Sequence, residues 1–154
     1  ESAAGLAEAL PDGGALIGLD LGTKTIGIAV CDAGWRFASA LKTLPRGKFG
    51  RDRDELRKMI EARGVLGIVI GLPRNMDGSE GPRAQASRAY ASNLAEAFSL
   101  PVLLWDERWS TQSAEAAMIG LDVSRRRRAE RIDAEAATVI LQAAIDAATG
   151  SPLL

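Results

Sequence analysis

Residues 15–32 read ALIGLDLGTKTIGIAVCD, and this stretch sets the architecture of the chain. The first seven residues are almost all apolar, which is typical of a buried strand. Gly22-Thr23-Lys24 is a turn, and TIGIAVCD at residues 25–32 predicts a second strand. Because the link is so short, we expect the two strands to pair as an antiparallel hairpin.

The rest of the chain alternates between strand and helix patterns. Further strands are predicted at residues 36–44, 65–70 and 102–105. Helices are predicted from about residue 52 to 63, 82 to 98, 110 or 111 to 119, and from 132 onward, with a basic loop at 120–130. The order β-β-β-α-β-α-β-α-α predicts an α/β fold with a five-stranded mixed sheet, in which three antiparallel strands are followed by parallel strands and helices cover the faces.

The composition is that of one soluble domain, and it removes several kinds of catalytic site. The chain has 154 residues, with 19 Lys+Arg, 20 Asp+Glu and a formal net charge of −1. It has no His and a single Cys, Cys31, which excludes Ser-His-Asp and Cys-His nucleophiles and metal sites built on His or thiolate clusters. A metal site in this chain should therefore hold a hard, oxygen-liganded cation such as Mg²⁺ or Mn²⁺.

The beginning of the chain differs in composition from the rest. Residues 1–14 are Ala-rich and end in Pro11-Asp12-Gly13-Gly14, so we expect a loosely held extension before a single domain at residues 15–150. The extension lacks the basic region and apolar stretch of a secretory signal. No apolar run approaches the length of a membrane span. We therefore expect a cytoplasmic protein with no membrane partner.

Carboxylates stand at the ends of three predicted elements. Asp20 lies inside an apolar strand, where an isolated carboxylate is costly to bury, and its same-face neighbours Gly18 and Gly22 are expected to keep that face free of bulk. Asp106-Glu107 follows the fifth strand, and Asp133 opens the last helix. Each has an ordinary alternative as a turn, surface or capping residue. Together they favour a divalent cation, because carboxylates brought close repel one another unless a cation lies between them.

Basic residues supply the other half of a nucleic-acid site. Four consecutive arginines and then Arg131 precede Asp133; such a run is typical of a solvated loop, but beside a metal site it would bind a phosphate backbone. Because the net charge is −1, binding must come from a local patch. Lys24 could reach a phosphate near Asp20 or be an exposed hairpin lysine. The candidate nucleic-acid contacts are Lys24, Arg74, Arg83, Arg108, Trp109, Arg125, Arg126, Arg127, Arg128 and Arg131.

Four segments, in order, resemble the motifs of the YqgF-type Holliday-junction-resolvase-like proteins. They read IGLDLGTKTIGIA at residues 17–29, VIGLPRNMDGS at 69–79, DERWST at 106–111 and IDAEAA at 132–137. The matches extend over nearly the whole chain, from about residue 16 to 144. Trp109 departs from the smaller apolar residue or Tyr that the family pattern leads us to expect.

The resemblance implies an RNase H-like fold and a nuclease that processes the 5′ end of pre-16S rRNA during ribosome biogenesis. It implies that Asp20, Glu107 and Asp133 are catalytic residues that bind Mg²⁺ or Mn²⁺, with a water attacking the phosphodiester in line. RNA is favoured over DNA as the substrate, with the pre-ribosomal particle as a further partner. The chain would act as a monomer or homodimer.

Three alternatives remain open from the sequence. One is a Holliday-junction DNA resolvase, which would act as a dimer because a junction has two strands to cut symmetrically. Another is a non-catalytic RNA-binding ribosome-assembly factor. The third is an actin-like or Hsp70-like ATPase, since DLGTK at residues 20–24 also resembles the phosphate-binding hairpin of that group, although those proteins need two such domains.

Overall fold

A computed structural model of the chain describes residues 3–75, 77–106 and 125–149, without the side chains of residues 3, 4, 7, 125–133 and 149. Five strands and four helices lie within these ranges. In chain order they are α1 (Ala3–Ala9), β1 (Ala15–Leu21), β2 (Thr25–Cys31), β3 (Ala38–Pro45), α2 (Phe49–Arg63), β4 (Val65–Leu72), α3 (Pro82–Phe98), β5 (Val102–Asp106) and α4 (Arg125–Thr149).

The described strands form one mixed sheet in the order β3-β2-β1-β4-β5. β1 pairs antiparallel with β2, and β2 with β3, whereas β1 pairs parallel with β4, and β4 with β5. The predicted five-stranded sheet is therefore confirmed. β1 lies at its centre, and β4 separates it from β5.

The alternation of side chains along β1 divides the core between two helical layers. Ile17, Leu19 and Leu21 lie in the cluster that includes residues of α2 and α3. Leu16 lies in the cluster that includes residues of α1 and α4. Because alternate residues of a strand share a face, Asp20 lies on the same side of the sheet as Leu16, facing the α4 layer.

The helices agree with the sequence pattern at their apolar centres and differ at their ends. Gly64 ends α2 in the left-handed conformation at φ 62°, as the Arg63-Gly64 stop predicts. The prediction that the last helix begins near Ile132, after a basic loop, is wrong, because α4 includes residues from Arg125 onward. Arginine is a good helix former, so a run without apolar spacing can still be helical. The helix predicted at 110 or 111 to 119 lies outside the described residues.

The N-terminal segment differs from the loosely held extension that we expected. Its helix α1 packs against α4 and β5, and the Leu6 side chain is fully buried in the α4-side cluster. Gly67 of β4 permits this approach, because a Cβ at that position would lie 3.1 Å from Leu10 Cδ1 and 3.5 Å from Leu6 Cδ1. The segment thus contributes to the core. None of the helices in the described ranges is long and apolar enough to cross a membrane.

Truncation of Leu6 tests how much α1 contributes to stability. We expect Leu6→Ala to lower the free energy of unfolding by about 2–4 kcal/mol, since it removes a fully buried side chain and leaves a cavity. Urea unfolding measures this directly. Leu66→Ala is the matched control, because Leu66 is 46% exposed and its truncation should cost little. Equal midpoints for the two variants would mean that α1 adds nothing to the stability of the fold.

Cys31 lies at the end of β2 in the α4-side cluster and is 5% exposed. Burial raises the pKa of its thiol to about 11. The side chain is therefore a small, protonated residue of the core.

Candidate metal centre and nucleic-acid interface

Asp20 is the described carboxylate around which the candidate site is built. It is the penultimate residue of β1, is half-buried and lies on the sheet face that packs against α4. Its cross-strand partner is Gly27 of β2. The carboxylate is thus carried on the central strand, at the end where β1 turns into β2.

Gly18 and Gly22 have a different role from the one that we expected. A Cβ on Gly18 would lie 2.8 Å from Leu141 Cβ and 3.3 Å from the Ala137 carbonyl oxygen, so Gly18 allows close approach of α4 to the sheet. A Cβ on Gly22 would lie 3.1 Å from the Thr25 carbonyl oxygen. Helix packing therefore explains Gly18, and a tight turn explains Gly22. Neither glycine is needed to clear space for a ligand.

Asp133 lies on α4, and the packing of that helix fixes the end of the sheet that it approaches. Ala137 and Leu141 lie over Gly18, while Gln142 Oε1 accepts a 2.9 Å hydrogen bond from the Ala38 N–H at the opposite end of the sheet. α4 therefore runs antiparallel to β1. Asp133 precedes Ala137 by about one helical turn, so its backbone lies toward the end of β1 that carries Asp20.

β5 ends at Asp106, next to Leu72 of β4. Glu107, Arg108 and Trp109 follow and lie outside the described residues. Asp106 Oδ2 is 3.8 Å from Arg74 Nη1. The third motif thus starts at the carboxyl end of β5, and both β1 and β4 end on this side of the sheet.

A chain of ion pairs connects α3, the loop at residues 73–81 and β5. Both Arg88 Nε and Arg88 Nη2 donate to the Glu80 carboxylate at 2.6 Å. Glu80 Oε2 is also 3.4 Å from Arg74 Nη2, and Arg74 continues the chain to Asp106. The hydrogen bonds from Arg88 lower the pKa of Glu80, with a smaller contribution from Arg74. Arg74 therefore already has partners within the protein.

Arginine side chains also contact the turn that follows Asp20. Arg83 Nη2 donates to the Leu21 carbonyl oxygen at 3.2 Å, and Arg46 Nη1 donates to the Gly22 carbonyl oxygen at 2.7 Å. Lys24, in the same turn, is exposed. The sequence singled out Arg83 and Lys24 as candidate nucleic-acid contacts but not Arg46. Arg46 lies between Pro45 and Gly47, and no sequence pattern there indicates its contact with the turn.

The remaining basic candidates lie at the start of α4. Residues 125–128 and Arg131 are on the first two turns of the described helix and precede Asp133. Their side chains, like those of Glu107 and Asp133, are outside the described part of the structure. Among the residues whose side chains are described, no group of three His, Cys, Asp or Glu could hold a metal ion.

Comparison with known proteins assigns the chain to a family. Residues 14–147 match the family model RuvX, described as Holliday junction resolvase. The chain belongs to this family. The RuvX match covers every described element except α1 and the last two residues of α4, and so the YqgF-type resemblance is confirmed.

Close relatives agree with the RuvX assignment, and one solved structure has a similar fold. Relatives from Novosphingobium aromaticivorans and Sphingopyxis alaskensis, both named "Putative pre-16S rRNA nuclease", are 61% and 62% identical and cover 98% and 93% of this chain and 97% and 93% of their own lengths. T. thermophilus RuvC in complex with Holliday junction substrate is 16% identical, with a TM-score of 0.55 over 90% of this chain and 97% of RuvC. This likeness confirms the RNase H-like fold.

Proposed function

We propose that this protein is a divalent-metal-dependent nuclease that hydrolyses phosphodiester bonds in RNA, in the processing of the 5′ end of pre-16S rRNA. The observation that carries the proposal is the placement of Asp20 on the central strand, facing the helix that bears Asp133. The names of relatives about 60% identical supply the RNA substrate class. Residues 15–150 would form the single catalytic domain.

Asp20, Glu107 and Asp133 are proposed as the catalytic and metal-binding residues. Their donor chemistry fits the group, because carboxylate oxygens are the ligands that Mg²⁺ and Mn²⁺ prefer. Such a cation, when bound, would polarise the phosphate and lower the pKa of the attacking water. Asp20 has rigid support, since it lies within a strand that is paired with β2.

The nucleic acid is proposed to bind across the end of the sheet at which Asp20 lies. Lys24 is exposed in the adjacent turn, and residues 125–128 and Arg131 precede Asp133 on α4. Cations in these positions would bind phosphates, and Trp109 and Arg108 would contact bases or sugars near Glu107. Arg74 and Arg83 have partners within the protein, so we assign them to holding the surrounding loops.

The cellular setting follows from the same proposal. An enzyme of pre-16S rRNA would work in the cytoplasm, with the pre-ribosomal particle as its larger partner. It could cut one strand as a monomer or homodimer. The description of the RuvX family supports a second candidate, a Holliday-junction DNA resolvase, for which a dimer is required because two strands must be cut symmetrically.

A cleavage assay separates these functions. The purified protein is incubated with single-stranded RNA, a structured pre-16S 5′-end RNA and a four-way DNA junction, each with Mg²⁺, Mn²⁺ or EDTA. We expect cleavage of the precursor RNA with either metal and none with EDTA. Cleavage of the junction alone would establish the resolvase. Tight RNA binding without cleavage of any substrate would favour the non-catalytic assembly factor.

A further inference from the structure

Two guanidinium groups bind consecutive backbone carbonyls directly after Asp20. Arg83, on the first turn of α3, donates to Leu21 O, and Arg46, in the loop before α2, donates to Gly22 O. Hydrogen bonds with a charged donor are roughly twice as strong as neutral ones. Two segments far apart in the sequence thus converge on the two residues that follow the candidate metal ligand.

Leu21 still pairs with Ile26 of β2, but it lies beyond the described pairing of β1 with β4. The last pair between β1 and β4 in the described register is Leu19 with Ile70, and Leu21 lies two residues beyond it. A backbone carbonyl at the end of a strand requires a donor from elsewhere. Arg83 supplies that donor with a side chain and so extends the support of β1 past the end of its pairing with β4.

Arg46 is itself held by a buried polar cluster. Its guanidinium carbon lies 5.4 Å from the centroid of the Tyr90 ring, and its backbone N–H donates to Lys24 O at 2.8 Å. The Tyr90 hydroxyl donates to Asp52 Oδ2 at 3.4 Å, while Asp52 Oδ1 accepts the Gly47 N–H at 3.1 Å. Burial raises the pKa of Tyr90, so the phenol keeps the proton that it donates.

The cluster has the burial expected of a rigid support. Tyr90 is 7% exposed and Asp52 is 3% exposed. Phe49 adds an edge-to-face contact, with its ring centroid 5.3 Å from that of Tyr90. Because the Arg46 side chain already packs on the Tyr90 ring, it loses few conformations when it binds the turn. Arg46 can therefore fix the position of the Gly22 carbonyl group.

Both arginines reach the turn from the helical layer opposite to α4. Arg83 belongs to α3, and Arg46 stacks on Tyr90 of α3, whereas Asp20 lies on the face covered by α4. The support therefore comes from the sheet face opposite to the one on which the Asp20 carboxylate lies.

We propose that Arg46 and Arg83 are positioning residues, which hold the turn at residues 22–24 and thereby fix Asp20 and Lys24 in the arrangement that phosphodiester hydrolysis requires. The inference rests on the proposed nuclease function. It assigns Arg83 to the protein backbone rather than to RNA. A small displacement of a reacting group can lower a rate by about a hundredfold. We therefore expect loss of either arginine to lower the turnover rate.

The test compares Arg46→Met and Arg83→Met with wild type and with Arg57→Met. Arg57 is a matched control, because its guanidinium carbon also lies over an aromatic ring, 5.5 Å from the centroid of Phe98, but away from the turn. Amide hydrogen exchange is measured in the segment 20–26. We expect both test variants to exchange about tenfold faster or more in this segment and Arg57→Met to exchange like wild type.

Steady-state kinetics on the cleaved RNA provide the second readout. We expect kcat to fall about 10- to 100-fold in both test variants, with KM within about twofold of wild type. Arg46→Lys keeps the charge and much of the stem, and it should recover part of kcat. If Arg46→Met does not fold, Arg46→Lys replaces it in both measurements.

The outcomes separate the inference from the function on which it rests. Unchanged exchange in the segment 20–26 overturns the inference whether or not the protein cleaves RNA. Faster exchange with unchanged kcat also overturns it, as does a raised KM with unchanged kcat, which would place Arg83 on the substrate. If the wild-type protein cleaves no nucleic acid, the proposed function fails, and the exchange rates alone then decide whether the two arginines hold the turn.

Discussion

Asp20→Asn is expected to reduce RNA cleavage by about a thousandfold or more while RNA binding is retained. The change removes a carboxylate charge from the proposed metal site. A bound metal stabilises the transition state by several kcal/mol. Each loss of about 1.4 kcal/mol of this stabilisation lowers the rate about tenfold. Single-turnover cleavage with saturating protein measures the chemical step, and a gel-shift or anisotropy titration with RNA measures binding.

Asp32→Asn is the matched control for this experiment. Asp32 is an exposed aspartate just after β2, at the opposite end of the hairpin from Asp20. The same chemical change there should leave cleavage and RNA binding within about twofold of wild type, as is usual for surface substitutions. If Asp20→Asn cleaves as fast as Asp32→Asn, the proposed metal site is not the site of the reaction.

Gly18→Ala is expected to destabilise the protein and to reduce its activity together. The added methyl group would lie 2.8 Å from Leu141 Cβ, closer than real Cβ contacts allow, so α4 has to shift away from the sheet. Overpacking of this kind costs about 1–3 kcal/mol, which corresponds to a Tm lower by roughly 3–10 °C for a chain of this length. Since α4 carries Asp133, the shift also changes its separation from Asp20.

Gly34→Ala controls for the loss of a glycine. A Cβ on Gly34 would meet its nearest neighbour, Asp32 Oδ1, at 3.6 Å, an ordinary contact in an exposed loop. Thermal unfolding and cleavage assays should therefore give wild-type values for Gly34→Ala. A Gly18→Ala protein that melts and cleaves like Gly34→Ala would contradict the close packing of α4 on β1.

The two central strands could be predicted from the sequence because they are almost entirely apolar. Ala15–Leu21 and Val65–Leu72 are central strands covered by helices on both faces, and such burial leaves a clear hydrophobic run. Helix ends were harder. Residues 125–130 have no apolar spacing, so the pattern could not distinguish a helical turn from a basic loop. In α1 the signal was weak as well, since Leu6 is the one large apolar residue of its sequence AAGLAEA.

The site was predictable in part, for a related reason. A carboxylate inside an apolar strand stands out, so Asp20 could be singled out from its neighbours. An arginine is compatible with almost any surface role, and nothing in the sequence distinguishes Arg46 or Arg83, which bind backbone carbonyls, from an arginine that binds phosphate. The reason for Gly18 was likewise hidden, because it depends on a helix more than one hundred residues later in the chain. The assignments of Glu107, Asp133 and the basic run remain predictions.

The buried thiol of β2 can be used to measure how often α4 separates from the sheet. Cys31 is the single cysteine of the sequence, so a thiol reagent can label one position and no other. Burial raises the pKa of this thiol to about 11, so the closed protein has little thiolate at neutral pH, and we expect labelling to require that the sheet parts from α4. The labelling rate therefore reports how often the two layers separate, and the same measurement would record whether bound RNA or metal holds them together.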